Sequence, residues 1–278
     1  MKNLAGKVAA VTGASSGMGR ALAVELAKQG CHLALSDVNQ VGLTETCQLV
    51  ERSGVKVTSQ IVDVARREQM QDWAEQTLSQ HGKINLIFNN AGVAQAGTVS
   101  SNTFEDYEWV LGINMWGVIN GTKVFLPHLK AAGEGHIINT SSIFGLCSQP
   151  AMSSYNTSKF AVRGFTESLR QELDIEKCGV SATSVHPGGI DTNICNSARV
   201  SDSITALTSR GKATDDMMKN FGKLLKTSPE KAAQAIISGV KGNKRRVLIG
   251  VDAHLVDIMQ RLFPSFYQAI VVRVFQTI

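Results

Sequence analysis

Short apolar runs alternate with longer segments in which apolar residues recur every three or four positions along most of this chain. Most of the short runs are apolar throughout, as strands of a parallel sheet are when helices cover both of its faces. Alternation of such strands with helix-length segments is typical of βαβ units. The pattern therefore predicts an α/β protein built on a doubly wound, seven-stranded parallel sheet.

The boundaries of the elements follow from the same periodicity. Strands are predicted at residues 8–12, 32–37, 55–62, 84–89, 136–141, 180–186 and 246–249. Helices are predicted at residues 18–29, 40–53, 66–81, 104–131, 154–177 and 229–241. Residues 190–226 show weaker periodicity and more Ser, Thr and Asn, which indicates an insertion into this regular pattern.

Composition and charge narrow the class of protein. Hydrophobic residues make up 43% of the chain and charged residues 18%, which is typical of a globular protein and not of a disordered one. The formal net charge is +5, but the one compact basic run is Lys244-Arg245-Arg246, and no nucleic-acid-binding motif accompanies it. We therefore expect no nucleic-acid partner.

The cysteines and the apolar segments bear on the compartment. The five cysteines are odd in number and widely spaced, with no Cys-x-x-Cys pair and no His at metal-ligand spacing. We expect reduced thiols, no metal site and a cytoplasmic protein. Residues 1–7 lack the apolar region of a signal peptide, and no stretch reaches the roughly 18 apolar residues of a membrane span. The sequence therefore predicts neither secretion nor a transmembrane segment.

A glycine-rich turn joins the first predicted strand to the first helix, with the sequence Thr12-Gly13-Ala14-Ser15-Ser16-Gly17-Met18-Gly19. Glycines there let the backbone approach a pyrophosphate, whose charge is met by free N–H groups and the positive end of the helix dipole. Such a turn can also do no more than connect a strand to a helix. By itself the turn is therefore only a weak indication of a dinucleotide site.

Asp37 strengthens the dinucleotide interpretation, because it ends the second predicted strand, where a carboxylate can accept hydrogen bonds from the adenosine ribose. The alternative is a helix cap or a strand-end turn residue. A carboxylate at this place repels a 2′-phosphate, and neither Ser16 in the turn nor Val38 after the Asp supplies a basic group. The sequence therefore favours NAD over NADP as cofactor.

The Thr-Gly-x-x-x-Gly-x-Gly spacing resembles that of the short-chain dehydrogenase/reductase family. The other blocks typical of that family follow in family order over residues 5 to 195, and only fold-level similarity continues beyond them. These blocks are Asp63-Val64, Asn89-Asn90-Ala91-Gly92, Asn114, Ser142, Tyr155-Asn156-Thr157-Ser158-Lys159, and Pro187-Gly188 followed by Thr192. The resemblance implies a single Rossmann-type domain and an enzyme that interconverts an alcohol and a carbonyl compound.

The resemblance also implies a cofactor-binding role for several residues. Asp63 would contact the adenine, with the Val64 backbone beside it, and Asn90 with Ala91-Gly92 would line the adenosine side of the cleft. The 89–92 turn can also serve to tie the sheet together. Pro187 and Gly188 would also bind the cofactor, and the residues from Ile190 to Thr192 would meet the nicotinamide carboxamide and the pyrophosphate.

Asn114, Ser142, Tyr155 and Lys159 are the predicted catalytic group. Oxidation of an alcohol needs a base for the hydroxyl proton while hydride leaves for the nicotinamide. A free Tyr has a pKa of about 10 and is a poor base, but a nearby ammonium lowers that value. Tyr155 and Lys159 are four residues apart and share one helix face. Ser142 can donate a hydrogen bond to the substrate oxygen.

The remaining roles follow from the resemblance. Asn114 would hold a water that links Lys159 to solvent, and Lys159 and Tyr155 would also hydrogen-bond the cofactor. Family spacing selects Ser142 over its neighbour Ser141. His186 could serve as a second base, but a His at a strand end is more often a packed, hydrogen-bonded residue.

The predicted substrate pocket is apolar. Its walls would come from 93–97, 144–152 and 188–225, and an apolar lining suits a hydrophobic secondary alcohol or ketone. The composition of 196–226 predicts a mobile lid over this pocket. The pocket residues proposed on this basis are Val93, Phe144, Met152, Ile194, Met217 and Phe221.

The chain is predicted to divide into a cofactor half at about 5–140, a catalytic and substrate half at about 141–250, and a C-terminal extension at 251–278. Residues 255–263 of this extension have the apolar spacing of a helix, which Pro264 ends. The extension is predicted to form an oligomer contact or a pocket cover, and less favourably to lie on a membrane surface. The two longest predicted helices, 104–131 and 154–177, resemble the pair through which family members dimerise. We therefore expect a homodimer or homotetramer.

Two alternatives to an NAD-dependent alcohol dehydrogenase or ketoreductase remain for the function of the protein. They are an NADPH-dependent reductase of biosynthesis and a non-catalytic NAD-sensing scaffold.

Overall fold

The computed structural model describes residues 1–192, 194, 197–207 and 227–277. Its strands lie close to the predicted positions, and some begin one or two residues away from them. They are β1 (Val8–Thr12), β2 (His32–Asp37), β3 (Val57–Ile61), β4 (Leu86–Asn89), β5 (Gln95–Ala96), β6 (Gly135–Thr140), β7 (Val180–Pro187), β8 (Arg199–Val200) and β9 (Arg246–Ile249).

The helices flank these strands in sequence, as a βαβ pattern requires. They are α1 (Gly17–Lys28), α2 (Gln40–Glu51), α3 (Arg67–His81), α4 (Phe104–Leu111), α5 (Gly117–Ala131), α6 (Ser153–Glu176), α7 (Pro229–Lys241), α8 (Val251–Leu262) and α9 (Tyr267–Thr277). A π-helical segment, Gly112–Trp116, joins α4 to α5, and short 3₁₀ turns lie at Ile143–Gly145 and Asp202–Leu207.

Seven strands form one parallel sheet in the order β3-β2-β1-β4-β6-β7-β9, which confirms the predicted doubly wound architecture. The strand order reverses between β1 and β4. The carboxyl ends of these two neighbouring strands diverge into helices on opposite faces, and a crevice opens there. Any ligand of the sheet is therefore expected at the carboxyl ends of β1, β4, β6 and β7.

Each face of the sheet carries its own apolar core. On one face α1 packs against α7 and α2, with Leu22, Leu26 and Ile236 fully buried. On the other, α3 packs against α5, and Trp73 meets Phe125 edge-on with ring centroids 5.0 Å apart. Burial of such side chains contributes roughly 1.5–3 kcal/mol each. The two cores hold the strand ends rigid.

Three features differ from the predicted elements. The helix predicted as continuous over 104–131 is broken by the π-helical segment, where the Gly117 N–H bonds the Gly112 carbonyl five residues earlier. Strands β5 and β8 pair in a separate parallel sheet and were not predicted, since two residues each are too few to show a periodicity. Helix α9 was likewise not predicted.

Over the described parts of the chain, no helix combines the length and the apolar character needed to cross a membrane. Four cysteines fall within those parts, and all have free thiols: Cys31, Cys47, Cys147 and Cys178.

Candidate functional site

The glycine-rich turn lies at the carboxyl end of β1 and packs against the turn after β4. Gly13 has a φ of +66°, and a Cβ there would come within 2.8 Å of the Ala91 Cα. A Cβ on Gly19 would overlap the Gly13 carbonyl, so both positions need glycine for close packing. Gly17 also has a positive φ, of +52°, where α1 begins. Ser15, Ser16 and Met18 complete this turn.

Asp37 joins the end of β2 to this turn. Its Oδ2 accepts a hydrogen bond from the Ser15 N–H at 2.9 Å, and its Oδ1 accepts one from the Asn39 N–H at 2.9 Å. The carboxylate therefore lies beside the glycine-rich turn, at the carboxyl end of the sheet. Spare lone pairs on its oxygens remain able to accept bonds from ligand hydroxyls.

Arg20 supports the same turn from α1, and the sequence analysis missed it. Its guanidinium donates to the Ser15 carbonyl at 2.5 Å, to Glu45 at 2.8 Å and to Thr46 at 3.0 Å. Glu45 and Thr46 belong to α2, so the contact depends on the packing of two helices. No local sequence pattern predicts this contact. The positive charge of Arg20 is paired with Glu45 within the protein.

The turn after β4 is held by Thr12. The Thr12 hydroxyl accepts bonds from the N–H groups of Asn90 and Ala91 at 2.9 and 3.0 Å, and the Asn90 side chain donates to the Thr12 carbonyl. The Oδ1 of Asn90 is buried and lacks a hydrogen-bond partner among the described residues. Asn90 also lines the cleft. A buried acceptor of this kind fits a ligand that carries hydroxyl groups.

The predicted adenine-side pair follows β3. The Asp63 carboxylate accepts from the Ala65 N–H at 3.0 Å, and the Val64 carbonyl accepts from Asn120 on α5 at 3.0 Å. A Cβ on Gly117 would meet the Val64 side chain. Asp63 and Val64 therefore lie, like Asp37, at the carboxyl ends of the strands.

A cleft opens beyond these turns and brings together many of the predicted residues. It lies at the carboxyl ends of β4, β6 and β7 and the start of α6. Its lining includes Met18, Asn90, Gly92, Ala94, Thr140, Ser141, Ser142, Ile143, Phe144, Met152, Tyr155, Lys159, Pro187, Gly188, Gly189, Ile190, Thr192 and Ile194.

Tyr155 and Lys159 share the face of α6 that borders the cleft. The Lys159 Nζ lies 5.4 Å from the centre of the Tyr155 ring and donates to the Thr140 carbonyl at 3.0 Å. Lys159 is 3% exposed, and its burial lowers the pKa of the ammonium from 10.5 to about 8. Near neutral pH the side chain still carries a positive charge beside the phenol.

The two adjacent serines after β6 differ in what they bind. The Ser141 hydroxyl donates to the Lys159 carbonyl at 2.7 Å. The Ser142 oxygen instead accepts from the Phe144 N–H at 3.1 Å. The proton of Ser142 is therefore left to donate elsewhere, and the geometry favours the same serine that family spacing selects.

Asn114 lies in the π-helical segment, fully buried. Its side-chain oxygen accepts from the Val93 N–H at 2.8 Å, and its amide donates to the Val93 carbonyl at 2.9 Å and to the Ser158 hydroxyl at 3.1 Å. The side chain thus joins the turn after β4 to α6. A π-helical turn is often found at functional sites.

The predicted substrate pocket is only partly assembled from described residues. Phe144, Met152 and Ile194 line the cleft, and the Phe144 ring meets Tyr155 edge-on at 6.3 Å between centroids. Val93 does not appear among the residues that line the cleft, and both its backbone groups are hydrogen-bonded to Asn114. Met217 and Phe221 lie outside the described residues.

His186 is buried at the end of β7 and hydrogen-bonded at both ring nitrogens. Its Nδ1 lies 3.0 Å from the Ser142 carbonyl and its Nε2 lies 2.9 Å from the Ser184 hydroxyl. Burial lowers the pKa of the imidazole to about 4, so the ring is neutral near pH 7. The neutral ring then donates its Nδ1–H to the Ser142 carbonyl, and this hydrogen bond fixes the backbone of Ser142.

Lys159→Met is expected to change how stability depends on pH in the cofactor-free protein. Burial holds the folded-state pKa of Lys159 at about 8, below the ordinary 10.5. The resulting penalty is full below pH 8, shrinks as pH rises, and vanishes above pH 10.5. Met carries no such penalty, so the stability of the variant relative to the parent should fall across this window. Urea unfolding at several pH values measures it, and a constant difference would contradict a buried ammonium.

Comparison with known proteins gives a consistent picture. The family model for short chain dehydrogenases matches residues 7–202. An oxidoreductase of Mycobacterium tuberculosis named SadH is 44% identical over 272 residues, which span 98% of this chain and 96% of that protein.

Solved structures agree with the sequence relatives. A short-chain dehydrogenase/reductase from Burkholderia phymatum, in complex with NAD, superposes with a TM-score of 0.88 at 29% identity, covering 96% of this chain and 97% of that one. A short chain dehydrogenase from Mycobacterium paratuberculosis, bound to NAD, gives a TM-score of 0.76 at 27% identity, covering 90% and 98%. The chain therefore belongs to the short-chain dehydrogenase/reductase family and is an oxidoreductase that acts on CH–OH groups with a nicotinamide cofactor.

Proposed function

We propose that this protein is an NAD-dependent oxidoreductase that interconverts a hydrophobic secondary alcohol and its ketone. The observation that carries the proposal is the convergence of Ser142, Tyr155 and Lys159 on one cleft beside the glycine-rich turn. These groups come from the end of β6 and from α6, and Asn114 ties α6 to the turn after β4. The arrangement matches the needs of proton removal from a hydroxyl group.

The division of chemistry between cofactor and protein follows from these positions. When bound, the nicotinamide supplies the hydride acceptor or donor. Tyr155 takes the hydroxyl proton in oxidation and returns it in reduction. The Lys159 ammonium stabilises the phenolate, since an opposite charge nearby favours the ionised form. Ser142 donates a hydrogen bond from its hydroxyl to the substrate oxygen and stabilises the charge that develops there.

The proton taken by Tyr155 needs a route to solvent. Because the Asn114 side chain is bonded to Val93 and Ser158, we assign the water that serves Lys159 to the main chain of the π-helical segment. Lys159 has three N–H donors, and one of them binds the Thr140 carbonyl. The other two are suited to the water and to the ribose hydroxyls of the cofactor.

The cofactor residues divide along the crevice. We assign Asp37, Asp63 and Val64 to the adenosine end, and Asn90, Ala91 and Gly92 to the ribose and central part. Pro187, Gly188, Ile190 and Thr192 then face the nicotinamide end, together with Tyr155 and Lys159. The orphaned Oδ1 of Asn90 supports a hydroxyl-bearing ligand at that place.

The choice of NAD rests on the adenosine end. We assign Asp37 to the adenosine ribose, where its carboxylate would repel the extra phosphate of NADP, and the exposed neighbour Val38 offers no compensating charge. Arg20, the nearest described cation of the turn, is already paired with Glu45. Two like charges at close range disfavour binding strongly when partly desolvated. An NADPH-dependent biosynthetic reductase is the alternative.

Asp37→Asn tests this assignment. The amide keeps an acceptor for the Ser15 N–H but removes the charge, so the NADP-to-NAD ratio of kcat/KM is expected to rise about tenfold to a hundredfold. Initial rates with each cofactor measure the ratio. Asp63→Asn serves as the comparison, because that carboxylate is assigned to the adenine and not to the 2′ position. An unchanged ratio in Asp37→Asn would contradict the assignment.

The substrate class rests on the apolar side of the cleft. Phe144, Met152 and Ile194 present hydrocarbon and thioether surface next to Tyr155. Such a lining favours hydrophobic substrates over sugars or hydroxy acids. Most of the lid predicted at 196–226, including residues 208–226, lies outside the described residues.

One experiment tests both cofactor and chemistry. Turnover is measured with NAD and with NADP over a panel of hydrophobic and polar secondary alcohols and ketones. The proposal expects the highest kcat/KM with NAD and hydrophobic compounds. Binding of NAD without turnover of any compound would instead favour the non-catalytic sensing scaffold. A preference for NADPH and ketones would favour the biosynthetic reductase.

Assembly and compartment complete the proposal. We propose a homodimer or homotetramer, because Trp116 and Phe160 remain 47% and 38% exposed on the helical pair expected at the interface. Light scattering of the purified protein measures the assembly. The free thiols of the described cysteines support a reducing, cytoplasmic compartment.

A further inference from the structure

The C-terminal segment from α8 to the start of α9 contacts the cleft, although it lies outside residues 7–202, which the family model matches. Helix α8 packs on the 3₁₀ turn Ile143–Gly145, directly after Ser142. Ala253 on α8 is fully buried, so the helix is seated on the body of the domain. Its other side is largely exposed.

Asp252 reaches from the first turn of α8 to the turn after β7. Its Oδ2 accepts a hydrogen bond from the Gly189 N–H at 2.6 Å. A Cβ on Gly188 would overlap the same carboxylate, so the glycine lets Asp252 lie directly against the turn. Gly188 and Gly189 both line the cleft. A charge-assisted bond of this length fixes their backbone.

Tyr267 reaches the other wall of the cleft from the start of α9. Its ring is 6% exposed, and its hydroxyl accepts a hydrogen bond from the Ser148 N–H at 3.2 Å. Ser148 lies between Phe144 and Met152, which form the apolar wall. Tyr267 therefore holds the middle of the loop whose two ends line the cleft.

We infer that Asp252 and Tyr267 are positioning residues, through which the C-terminal segment sets the shape of the two cleft walls independently. Asp252 positions the Gly188–Gly189 turn for the nicotinamide, and Tyr267 positions the 144–152 loop for the substrate. The roles of the two walls rest on the proposed function. The two contacts themselves do not.

The test for Asp252 uses variants that separate the hydrogen bond from the charge. Asp252→Leu removes the acceptor for Gly189, whereas Asp252→Asn retains one. We expect the dissociation constant for NAD, measured by calorimetry, to rise about tenfold in the first and less than threefold in the second. Asp257→Leu is the matched control, because Asp257 lies on the same helix as Asp252 and its ion pairs, with Arg246 on β9 and Arg261 on α8, do not touch the cleft. Equal affinities in all three would overturn the role of Asp252.

The test for Tyr267 uses Tyr267→Phe, which removes the hydroxyl and keeps the ring. With the best substrate of the panel, the substrate KM is expected to rise about fivefold to tenfold while the affinity for NAD stays unchanged. Equal changes in the substrate KM and the NAD affinity would overturn independent positioning.

Hydrogen–deuterium exchange of the cofactor-free proteins tests both contacts without turnover. Tyr267→Phe should speed exchange in peptides covering 144–152 and not in those covering 187–192, and Asp252→Leu should do the reverse. Unchanged exchange in both variants would overturn the inference whatever the substrate. A parent protein that binds neither NAD nor NADP would instead contradict the proposed function, while the exchange pattern would still decide the two contacts.

Discussion

The Tyr155→Phe variant is expected to lose about a thousandfold in kcat while its affinity for NAD stays nearly unchanged. The change removes only the phenolic oxygen, which is the atom proposed to exchange a proton with the substrate. The ring itself is 8% exposed and packs edge-on against Phe144, and a Phe ring retains that packing. Steady-state rates and a calorimetric titration with NAD measure the two quantities separately.

Tyr107→Phe provides the matched control, because it deletes the same atom from a half-buried tyrosine that does not line the cleft. Its hydroxyl lies 2.6 Å from the Ser153 hydroxyl at the start of α6. We expect a small loss of stability, about 1 kcal/mol, and a kcat within about twofold of the parent. If Tyr155→Phe kept a tenth or more of the parent kcat, Tyr155 would not be the acid/base residue.

Ser142→Ala is expected to lower kcat about a hundredfold with little change in the free energy of unfolding. Removal of one hydrogen-bond donor from a developing oxyanion typically has an effect of about this size. The hydroxyl accepts one bond, from the Phe144 N–H, so its structural contribution is modest. Rates over a range of substrate concentrations, together with urea unfolding, measure the two effects.

Ser141→Ala should instead affect the free energy of unfolding more than kcat. Its hydroxyl donates to the Lys159 carbonyl inside the protein, and the loss of such a buried hydrogen bond costs about 0.5–1.5 kcal/mol. We expect a lower unfolding free energy and a much smaller decrease in kcat than for Ser142→Ala. If the two alanine variants lost activity equally, the donor role would not belong to Ser142 alone.

The pattern of apolar positions was sufficient for the main sheet. Each of its strands lies within two residues of its predicted start. For strands buried on both faces, such as β1 and β4, the reason is that this burial demands nearly continuous apolar runs. The same pattern failed at the π-helical segment, since one extra residue in a helical turn leaves the apolar spacing almost unchanged. It also missed the two-residue strands β5 and β8.

The candidate site was predictable where its signals are local. The glycine-rich turn needs glycines at fixed positions, and Tyr155 with Lys159 needs a four-residue spacing on a helix. Residues that act through another element were missed. Arg20 depends on α2, and Asp252 with Tyr267 depends on how α8 and α9 fold back across the cleft.

The sequence by itself determined that this chain is a parallel α/β oxidoreductase with a glycine-rich turn and a Tyr–Lys pair. The fold follows from the periodicity of burial, and the turn and the Tyr–Lys pair follow from spacing along one strand or helix. The oxidoreductase activity follows from the family resemblance that these motifs carry. Only the tertiary structure decided which groups share the cleft. It separated Ser142 from Ser141 by their partners, joined Asn114 to Val93, and brought the C-terminal segment against both cleft walls. Those contacts join residues distant in the chain, and hydrogen bonding between them depends on packing that no local pattern records.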